Sequence, residues 1–349
     1  MTPLVSILIP AYNAEQWIAD TLTSAVEQTW PRKEIIVVDD GSRDQTLSIA
    51  RRFAAEAVSV VTQKNQGAAA ARNRAFALSQ GDYIQWLDAD DLLALDKISK
   101  QMEAANECQS KRVLFSSAWG AFMYRVSKAQ FSPTSLWCDL SPVEWLLRKM
   151  GQNLHMQTAT WLVSRELTEV AGPWDTRLSL DDDGEYFSRV VLASDAIRFA
   201  PDAKVFYRQP GFDRLSSFDR SDKKLESQFL SMQLHVDYLR SFEESERVRT
   251  ASLMYLQTWF MWFFEERPDL ARELEQLAVA LGGRLEIPRL SWEYLWIQKL
   301  FGWTVAKQVC LQWNRCKSSV RRSWDKALFH LERQNLATRI GSCGMKSVV

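Results

Sequence analysis

Short apolar runs alternate with amphipathic segments through residues 4–120 of the chain. Four of these runs are typical of buried strands: Val5–Ile9, Ile35–Val38, Val58–Val61 and Tyr83–Leu87. The segments between and after them carry apolar residues on one helical face. Helices are predicted from a cap at Asn13 to about Gln28, from a cap at Ser42 or Asp44 to Phe53, from Ala68 to Leu78 and from Leu95 to Cys108. The repeated strand–helix order predicts a doubly wound, mostly parallel α/β sheet.

The pattern changes along the rest of the chain. Between residues 112 and 215 it is mixed, with helices near 142–150 and 184–194. Strands are predicted there at Val113–Ser116, Ala121–Val126, Thr158–Val163, Ile197–Phe199 and Val205–Tyr207. From residue 222 onward only helical stripes occur. This change predicts an α/β domain of residues 1–216 and a helical C-terminal region of residues 217–349.

Composition and charge narrow the class of protein. Hydrophobic residues make up 46% and charged residues 25% of the 349 residues, as in an ordinary globular protein. The formal net charge is zero, so no overall attraction to nucleic acid is expected. No apolar run is long enough to span a bilayer, no signal peptide is expected, and the five cysteines lack zinc or redox spacing. These features predict a cytoplasmic protein with reduced thiols.

Aspartate clusters lie next to the predicted elements at three places. Asp39 and Asp40 follow the second strand, Asp88 and Asp90 follow the fourth, and residues 181–183 form a run of three before a helix. Carboxyl ends of parallel strands lie at the rim of the sheet, where open α/β folds bind ligands. Because neighbouring carboxylates repel each other, each cluster needs solvent, hydrogen bonds or a cation.

The Asp88-Ala89-Asp90 spacing predicts a divalent-metal site. Two carboxylates at i and i+2 in a turn can reach one cation, and Mn²⁺ or Mg²⁺ prefers such hard oxygen ligands. A cation there would stabilise the charge that builds up on a departing diphosphate. Acidic turns are frequent, so the spacing alone is a weak signal, and its position after a buried strand strengthens it.

Other residues of the same rim are candidates for binding a nucleotide. Asp40 is expected to accept a hydrogen bond from a base imide or a ribose hydroxyl, whereas Asp39 either does the same or caps the next helix. Tyr12 either stacks on a base or packs against the first helix. Arg72, in the helix that opens after Gly67, either supplies charge to a phosphate or belongs to a helix whose alanines serve close packing.

The run Asp181-Asp182-Asp183 has two interpretations. Three successive carboxylates cannot all be buried and ionised at low cost, so one of them could have a raised pKa suited to a general base. Alternatively, the three charges only stabilise the N-terminus of the following helix through its dipole.

Taken together, these segments resemble the family 2 glycosyltransferases of the GT-A fold. The matching stretches are VSILIPAYNAE (5–15), EIIVVDDGSRDQT (34–46), NQGAAAARNRA (65–75), GDYIQWLDADD (81–91) and DDDGEYFSRV (181–190). The resemblance implies a donor-binding set made of Pro10, Ala11, Tyr12, Asp39, Asp40, Gly67, Arg72, Asp88 and Ala89. It also implies that Asp90, with Asp88, holds the metal beside the diphosphate and that Asp91 supports their turn.

The resemblance further implies a transfer, with inversion, of one sugar from a nucleotide-diphosphate sugar to an acceptor hydroxyl. The family commonly has Glu-Asp at the position of the base, where this chain has Asp182-Asp183, so the base is assigned to Asp183 with Asp182 as second choice. Asp183 would take the proton of the attacking hydroxyl while the metal stabilises the leaving diphosphate. The acceptor would be a saccharide, a lipid-linked group or a protein.

Two other functions fit parts of the pattern. A nucleotidyltransferase would need a glycine-rich loop with a basic residue after the first strand, and the sequence there, PAYNAE, has neither. A catalytically silent nucleotide-sugar sensor or scaffold is the alternative that stays open. Processive family members carry a Gln-x-x-Arg-Trp motif, which this sequence lacks, so one sugar per encounter is expected.

The C-terminal region carries no catalytic pattern. Residues 301–349 hold nine Lys or Arg against two acids, Asp325 and Glu332, with aromatic residues between the charges. Such helices suit an anionic lipid surface. The solvated face of an ordinary helical bundle explains the same pattern equally well. The protein is therefore expected in the cytoplasm, either free or peripheral on the inner face of the membrane.

Burial is expected for Trp259, Phe260, Trp262 and Phe263, and structural roles are expected for His155, His235 and His330.

Overall fold

The computed structural model of the chain describes residues 2–209, 221–264, 266–287 and 291–344. These residues form two compact units. The first consists of the described parts of Met1–Gly120, Phe131–Tyr207 and Leu215–Pro288, and the second of the described parts of Ala121–Gln130, Arg208–Arg214 and Arg289–Val349. The predicted boundary at residue 216 lies outside the described residues, so the division into 1–216 and 217–349 stays a prediction.

The described residues form both strands and helices. The strands are β1 (Val5–Ala11), β2 (Lys33–Asp39), β3 (Val58–Thr62), β4 (Tyr83–Trp86), β5 (Leu92–Leu93), β6 (Val113–Phe122), β7 (Gln130–Phe131), β8 (Val163–Ser164) and β9 (Ala196–Arg208). The α-helices are α1 (Ile18–Val26), α2 (Thr46–Arg51), α3 (Ala68–Leu78), α4 (Lys97–Asn106), α5 (Pro142–Gly151), α6 (Arg165–Ala171), α7 (Asp182–Ala193), α8 (Asp222–Phe242), α9 (Glu246–Phe263), α10 (Pro268–Ala280) and α11 (Leu295–Gly344).

The larger sheet has the strand order β3-β2-β1-β4-β8, in which β1 to β4 are parallel and β8 is antiparallel to β4. Helices α1, α2 and α3 connect the parallel strands in turn, so the predicted doubly wound α/β fold is confirmed. Because β4 lies beside β1 rather than beside β3, the strand order reverses between β1 and β4. Open α/β folds bind their ligands at such a reversal, outside the carboxyl ends of the strands.

The smaller sheet, of order β5-β9-β6-β7, corrects part of the predicted pattern. Strand β6 contains the strand predicted at 113–116 and the first two residues of the one predicted at 121–126, whose residues 123–126 are not strand. The strands predicted at 197–199 and 205–207 are one strand, β9. Exposed residues such as Pro201 interrupt the apolar pattern of β9. Its backbone nevertheless stays extended because the neighbouring strands pair with it.

The strand predicted at 158–163 is wrong. Thr158–Thr160 is a 3₁₀ turn, and only the two residues of β8 pair with β4. The side chain of Gln157 accepts a hydrogen bond from the Ala159 N–H at 2.6 Å, and the Thr160 hydroxyl donates to the Gln157 carbonyl at 2.6 Å. Such local bonds favour a turn over a strand ladder.

The sequence predicts the start of helix α3 correctly but not the start of helix α1. Helix α1 begins at Ile18 rather than directly after a cap at Asn13. Asn13 has a left-handed backbone, with φ of 48°, and its side-chain oxygen accepts from the Arg43 N–H at 2.9 Å. Asn13 therefore joins the loop after β1 to the loop after β2 instead of capping a helix. Helix α3 has the predicted bounds.

Helices α8, α9 and α10 complete the core of the first unit. They pack with α5 and α7 in one apolar cluster that also contains Trp86 of the sheet. Phe260 and Phe263 are buried, as predicted, and Trp259 and Trp262 are partly buried against the same cluster. The predicted helical C-terminal region is thus present among the described residues, and part of it belongs to the first unit.

The second unit contains α11, which is interrupted at Gly302, where φ is 83°. Arg125 ties the segment after β6 to this helix, because its guanidinium lies 2.7 Å from Asp325 and 3.0 Å from Glu332. The Tyr124 N–H also donates to Asp325 at 3.0 Å. None of the helices in the described ranges combines the length and the apolar character that crossing a bilayer requires.

Candidate active site

The carboxyl ends of β1, β2 and β4 form one rim of the larger sheet. Ala11 pairs with Asp39 across β1 and β2, and the Asp40 N–H donates to the Ala11 carbonyl at 2.8 Å. Beside them, the Leu87 N–H donates to the Leu8 carbonyl at 3.0 Å and so continues the pairing of β4 with β1. The residues that follow these three strands therefore lie at the same edge of the sheet.

Asp40 is buried and organises the loop that follows β3. Its Oδ1 atom accepts hydrogen bonds from the Gln63 side chain at 2.7 Å and from the Gln66 N–H at 2.9 Å, and its Oδ2 atom accepts from the Gly67 N–H at 2.8 Å. A carboxylate has about four acceptor positions. Among the described residues three are used, which leaves one position on Oδ2. Asp40 thus shapes the loop before α3 and keeps capacity for a further donor.

Two glycines allow this loop to come close to β2. Gly41 has φ of 74°, and a Cβ atom there would lie 2.9 Å from the backbone nitrogen of Asn65. Gly67 has φ of 93°, and open space lies where its Cβ atom would be. Glycine adopts such angles without steric cost, so Gly67 can direct its N–H to Asp40 while leaving room beside its backbone.

Asp39 is buried beside Asp40 and is only partly satisfied. Its Oδ2 atom accepts from the Thr62 hydroxyl at 3.0 Å and from the Ser42 N–H at 3.4 Å. Its Oδ1 atom is buried and has no hydrogen-bond partner within the described ranges. Leaving a buried acceptor unsatisfied costs about 1–3 kcal/mol, more when it is charged. Asp39 Oδ1 is therefore a candidate acceptor for a ligand's donor group.

Residues at the end of β1 differ in exposure. Tyr12 has 42% of its surface accessible, whereas Ala11 is buried and Pro10 is half-buried. The ring of Tyr12 is thus outside the core, which favours the stacking role over packing against α1. Because Tyr12 follows Ala11, which pairs with Asp39, it belongs to the same end of the rim as Asp39 and Asp40.

Arg72 joins two acidic segments that are far apart in the sequence. Its Nη2 atom lies 2.7 Å from Asp88 Oδ1, and its Nη1 atom lies 2.7 Å from Asp182 Oδ2. The guanidinium carbon lies 4.3 Å from the centre of the Trp174 ring, a cation–π contact inside the protein. Burial alone would lower the pKa of Arg72, but the charges of Asp182 and Asp88 outweigh burial and hold that pKa above its usual value. One arginine therefore holds the turn after β4 against the start of α7.

The turn after β4 is fixed by its own hydrogen bonds. Asp91 is buried and accepts a hydrogen bond from the Gln157 side chain, while its N–H donates to the Asp88 carbonyl at 3.1 Å. The Ala89 carbonyl accepts from a threonine hydroxyl of α1 at 2.9 Å. The backbone that carries Asp88 and Asp90 is therefore held in place, and both of these side chains are half-buried.

The donor set of this turn fits a hard divalent cation. Asp88 Oδ1 is bonded to Arg72, and no hydrogen bond from a described residue reaches Asp88 Oδ2. With Asp90, the turn offers two carboxylates and leaves the rest of a coordination shell to phosphate oxygens and water, as is usual for Mg²⁺ beside nucleotides. Within the described residues, no three His, Cys, Asp or Glu side chains are grouped as a complete metal site. A cation at this turn would thus need oxygens from a ligand.

Asp183 has the electrostatic properties of a general base. Its Oδ1 atom accepts from the Gly184 N–H at 2.9 Å, and its Oδ2 atom accepts from the Thr158 hydroxyl at 3.3 Å. Desolvation, reinforced by the charges of Asp182 and Asp181, raises the pKa of Asp183 to about 7. A base whose pKa lies near the working pH combines a useful ionised fraction with affinity for the proton.

Asp182 is placed differently from Asp183. Desolvation raises its pKa, while Arg72 opposes that rise. One of its oxygens is held by the Arg72 guanidinium at 2.7 Å. This pairing suits Asp182 for positioning Arg72 more than for proton transfer, and the choice of Asp183 as base stays a prediction.

A buried polar cluster behind these aspartates was not identified from the sequence. Lys149 Nζ lies 2.8 Å from His235 Nε2, His235 Nδ1 lies 2.7 Å from the Ser231 carbonyl, and the Ser231 hydroxyl donates to Asp181 at 2.5 Å. His235 therefore carries its proton on Nδ1 and accepts from the lysine. Burial, reinforced by the Lys149 charge, lowers the pKa of His235 to about 4. The spacing of Ser231 and His235 on one helical face is a sequence signal, but nothing local connects them to Lys149.

The predicted site residues thus form two groups along α3. Asp88, Arg72 and Asp182 are in direct contact in one group. Asp40 is bonded to Gly67, the residue that precedes α3, in the other. Arg72 lies five residues after Gly67, which corresponds to about 7 Å along a helix axis.

Comparisons with known proteins bear on the family of the chain. Residues 6–121 match the family described as Glycosyl transferase family 2. An uncharacterised glycosyltransferase of Haemophilus influenzae is 42% identical over 103 residues, which cover 29% of this chain and 41% of that protein. The uncharacterised glycosyltransferase EpsJ of Bacillus subtilis is 36% identical over 217 residues, covering 60% of this chain and 62% of EpsJ.

Solved structures show the same fold at low sequence identity. TarS of S. aureus in complex with UDP-GlcNAc is similar with a TM-score of 0.64 and 18% identity, over 80% of this chain and 81% of TarS. The mannosyltransferase PcManGT of Pyrobaculum calidifontis, in complex with GDP-Man and Mn²⁺, is similar with a TM-score of 0.51 and 19% identity. This similarity covers 93% of this chain and 88% of PcManGT.

The sheet order, the acidic turns at its rim and these likenesses define a GT-A fold. More particularly, residues 6–121 match Glycosyl transferase family 2, which confirms the resemblance seen in the sequence motifs. It spans 41% of the length of each of the first two curated relatives that it matches.

Proposed function

We propose that the chain is an enzyme that moves one sugar from a nucleotide-diphosphate sugar to an acceptor hydroxyl. The reaction is a single displacement with inversion, assisted by Mn²⁺ or Mg²⁺. The contact that supports it most is the double ion pair of Arg72 with Asp88 and Asp182, which holds the turn after β4 beside the start of α7. A nucleotide-sugar donor is further supported by the UDP-GlcNAc and GDP-Man complexes of the similar structures.

The nucleotide would bind at the ends of β1 and β2. Tyr12 would stack on the base from its exposed position, next to Pro10 and Ala11. Among the described residues, Asp40 Oδ2 keeps one acceptor position and Asp39 Oδ1 has no partner, so these two atoms would accept hydrogen bonds from the base or the ribose. Both are buried carboxylates beside a parallel strand end, where acidic residues commonly accept from ribose hydroxyls.

The diphosphate would lie between the turn after β4 and the open side of Gly67. Asp90 and Asp88 would hold the cation, with Ala89 between them on the fixed backbone of the turn. A bound Mn²⁺ or Mg²⁺ would supply positive charge that stabilises the departing nucleoside diphosphate. Arg72 compensates the charge of Asp88 and Asp182, so the two acidic segments can stay close together.

Asp183 would act as the base in the transfer itself. Its carboxylate would take the proton of the acceptor hydroxyl, whose oxygen forms the new bond to the anomeric carbon. The bond from that carbon to the diphosphate oxygen breaks on the opposite side, and its electron pair leaves with the nucleoside diphosphate. Attack opposite the leaving group inverts the configuration at the anomeric carbon. Thr158 and Gly184 orient the carboxylate for this step.

The acceptor would be a saccharide, a lipid-linked group or a protein, and one sugar would be added per encounter. Because the formal net charge is zero, nucleic acid is not proposed as a partner. The partners would be the donor, the acceptor and an anionic membrane surface contacted through the C-terminal region. The protein would act in the cytoplasm at the inner face of the membrane.

The variant Asp183→Asn tests this function. Donors are first screened by metal-dependent thermal stabilisation, since a ligand that binds the folded state raises the melting temperature. With the best donor, Asp183→Asn is expected to keep donor binding and to lose at least about 100-fold in transfer and donor hydrolysis, as general-base catalysis contributes about 10²–10⁴-fold. Asp237→Asn, at an exposed position of α8, is the matched control.

Two outcomes would contradict the proposal in different ways. Unchanged turnover in Asp183→Asn would remove Asp183 from the role of base. Donor binding by the wild-type protein without any transfer or hydrolysis, over the whole panel of donors and acceptors, would favour the catalytically silent sensor or scaffold.

A further inference from the structure

Helix α11 carries a line of exposed apolar side chains beyond its interruption. They are Val305, Val309, Trp313, Val320, Trp324 and Leu331, and each has at least 40% of its surface accessible. Steps of four and seven residues keep them on one face, over roughly 100° of the helix circumference and about 40 Å of its length. We call this line the tryptophan stripe. Long exposed apolar surfaces usually mark a site of interaction, so the stripe needs a partner.

Basic side chains border the tryptophan stripe on both edges. By their helical positions, Lys317 and Arg321 follow one edge, and Arg315, Arg322 and Lys326 follow the other. Lys317 also lies over Trp313, with Nζ 5.3 Å from the ring centre. An apolar face between two rows of Lys and Arg is typical of helices that lie in the plane of a membrane surface.

The acids of the same stretch do not cancel this charge. Between residues 303 and 332 the acids are Asp325 and Glu332. Both are paired with Arg125 of the same unit, at 2.7 and 3.0 Å, and Asp325 also accepts from the Tyr124 N–H. Their charges are therefore partly compensated inside the unit, and the surface around the stripe stays positive.

An anionic lipid surface fits these features better than a second copy of the chain. If two tryptophan stripes faced each other, their Lys and Arg borders would meet like charges, and like charges across an interface disfavour association. At a bilayer with acidic headgroups, the borders would instead meet opposite charge. Tryptophan rings are also favoured at the level of the headgroups.

We propose that the tryptophan stripe is the face by which the protein binds, parallel to the surface, to an anionic membrane. Trp313 and Trp324 would enter the interface between headgroups and acyl chains, while Lys317 and Arg321 would pair with lipid phosphates. The proposal concerns the second unit alone, so it stands or fails separately from the transfer reaction.

Sedimentation of the full-length chain with lipid vesicles tests the proposal. Binding is expected with vesicles of phosphatidylglycerol and phosphatidylcholine, not with phosphatidylcholine alone, and it should weaken as salt is raised. The double variant Trp313→Glu/Trp324→Glu should lose at least about ten-fold in vesicle affinity. The matched control is Val170→Glu/Val279→Glu, which adds the same charge at exposed apolar positions of the first unit and should bind like the wild type.

A second variant and two further measurements keep the result decisive. Lys317→Glu/Arg321→Glu leaves the apolar face intact and should lose binding to anionic vesicles while keeping the melting temperature of the wild type. The proposal is overturned if the Trp313→Glu/Trp324→Glu and control variants bind alike, or if the wild type binds no anionic vesicles. It is also overturned if the protein dimerises without lipid and the tryptophan variant is monomeric, because a second copy then covers the stripe. Donor-induced thermal stabilisation, measured in parallel, shows that the first unit of each variant is intact.

Discussion

The Nζ atom of Lys149 lies 2.8 Å from the Nε2 atom of His235, and both side chains are buried. The same nitrogen of His235 lies 3.1 Å from the carbonyl of Gly184, the residue that follows Asp183. Burial lowers the pKa of Lys149, while the charges of Asp181 and Asp183 oppose that lowering. Coulomb interactions are reciprocal, so a protonated Lys149 must favour the ionised form of Asp183.

Removing the Lys149 charge is therefore expected to change the pH dependence of transfer. In Lys149→Met the pKa of Asp183 should rise. The pH at which kcat increases should therefore move about 0.5–1 pH unit higher. The other ionisable groups around the cluster stay in place: Asp181, Asp182, Arg72, His155, His235 and Tyr255. The measurement is kcat against pH with saturating donor and acceptor.

The matched control is Lys97→Met. Lys97 is also fully buried and bonded to a neutral partner, Gln85, and burial alone accounts for the lowering of its pKa. Loss of stability in both variants with the pH profile shifted only in Lys149→Met would support the electrostatic role. A lower kcat with an unmoved profile in Lys149→Met would leave Lys149 with a packing role only.

Asp183 should also make folding stability depend on pH. Its folded-state pKa of about 7 lies above the ordinary value of 3.8, because desolvation disfavours the charge. Between these two pH values the folded state holds a proton that the unfolded state has lost, so stability falls as pH rises from about 4 to 7. Asp183→Asn cannot ionise and should escape this loss, gaining at most about 4 kcal/mol over the wild type at pH 8.

Urea unfolding at pH 5 and pH 8 measures this effect. The advantage of Asp183→Asn over the wild type should be larger at pH 8, whereas Asp237→Asn should show no such difference. An advantage for Asp183→Asn that is equal at both pH values, or largest at pH 5, would mean that the Asp183 carboxyl is not held protonated in the folded state.

The sheet and its first crossovers were predictable because their signals are local. The strand runs near Val5, Ile35, Val58 and Tyr83 are apolar over their own length, and helix α3 has the predicted bounds. Where side chains bond to nearby backbone groups, the pattern misleads. Gln157 turns the segment after it into a 3₁₀ turn in spite of its strand-like sequence.

The arrangement of the candidate site was only partly predictable, since its main contacts are between distant positions. Arg72 and Asp182 are 110 residues apart in the chain, and Lys149 and His235 are 86 apart. The sequence motifs indicate that Arg72 and Asp182 have a function, but not that they touch. For Lys149 no motif exists, and its role follows only from the packing of α5 against α8.

Arg72→Met is expected to damage both stability and transfer. Removing one partner of a buried ion pair leaves the other charges uncompensated, which costs about 3–5 kcal/mol for fully buried pairs. Asp88 and Asp182 keep 28% and 19% of their side-chain surface exposed, so about 2–3 kcal/mol is expected here. Urea unfolding and donor-dependent thermal shifts measure the two effects.

The control for this position lies two residues along the same helix. Arg74 is exposed, and its guanidinium donates to the Thr62 carbonyl at 3.1 Å. Arg74→Met should therefore cost less than about 1 kcal/mol, as exposed contacts usually do. If Arg72→Met were no more destabilising than Arg74→Met, the bridge between Asp88 and Asp182 would contribute nothing to holding the site together.

Asp90→Asn should uncouple donor binding from the divalent cation. In the wild type, a donor sugar nucleotide at about 100 times its Kd with Mn²⁺ should add about 2.7 kcal/mol of stability, and a chelator should remove most of it. The amide that replaces the Asp90 carboxylate would lack the charge that a hard cation prefers, so the variant should gain little stability from Mn²⁺.

The control is Asp96→Asn. In the wild type the Asp96 carboxylate pairs with Lys100 on the surface, and the variant should respond to Mn²⁺ like the wild type. Equal donor stabilisation of the wild type with Mn²⁺ and with chelator would show that the donor binds without a metal at this turn, which would contradict the proposed role of Asp88 and Asp90 as metal ligands.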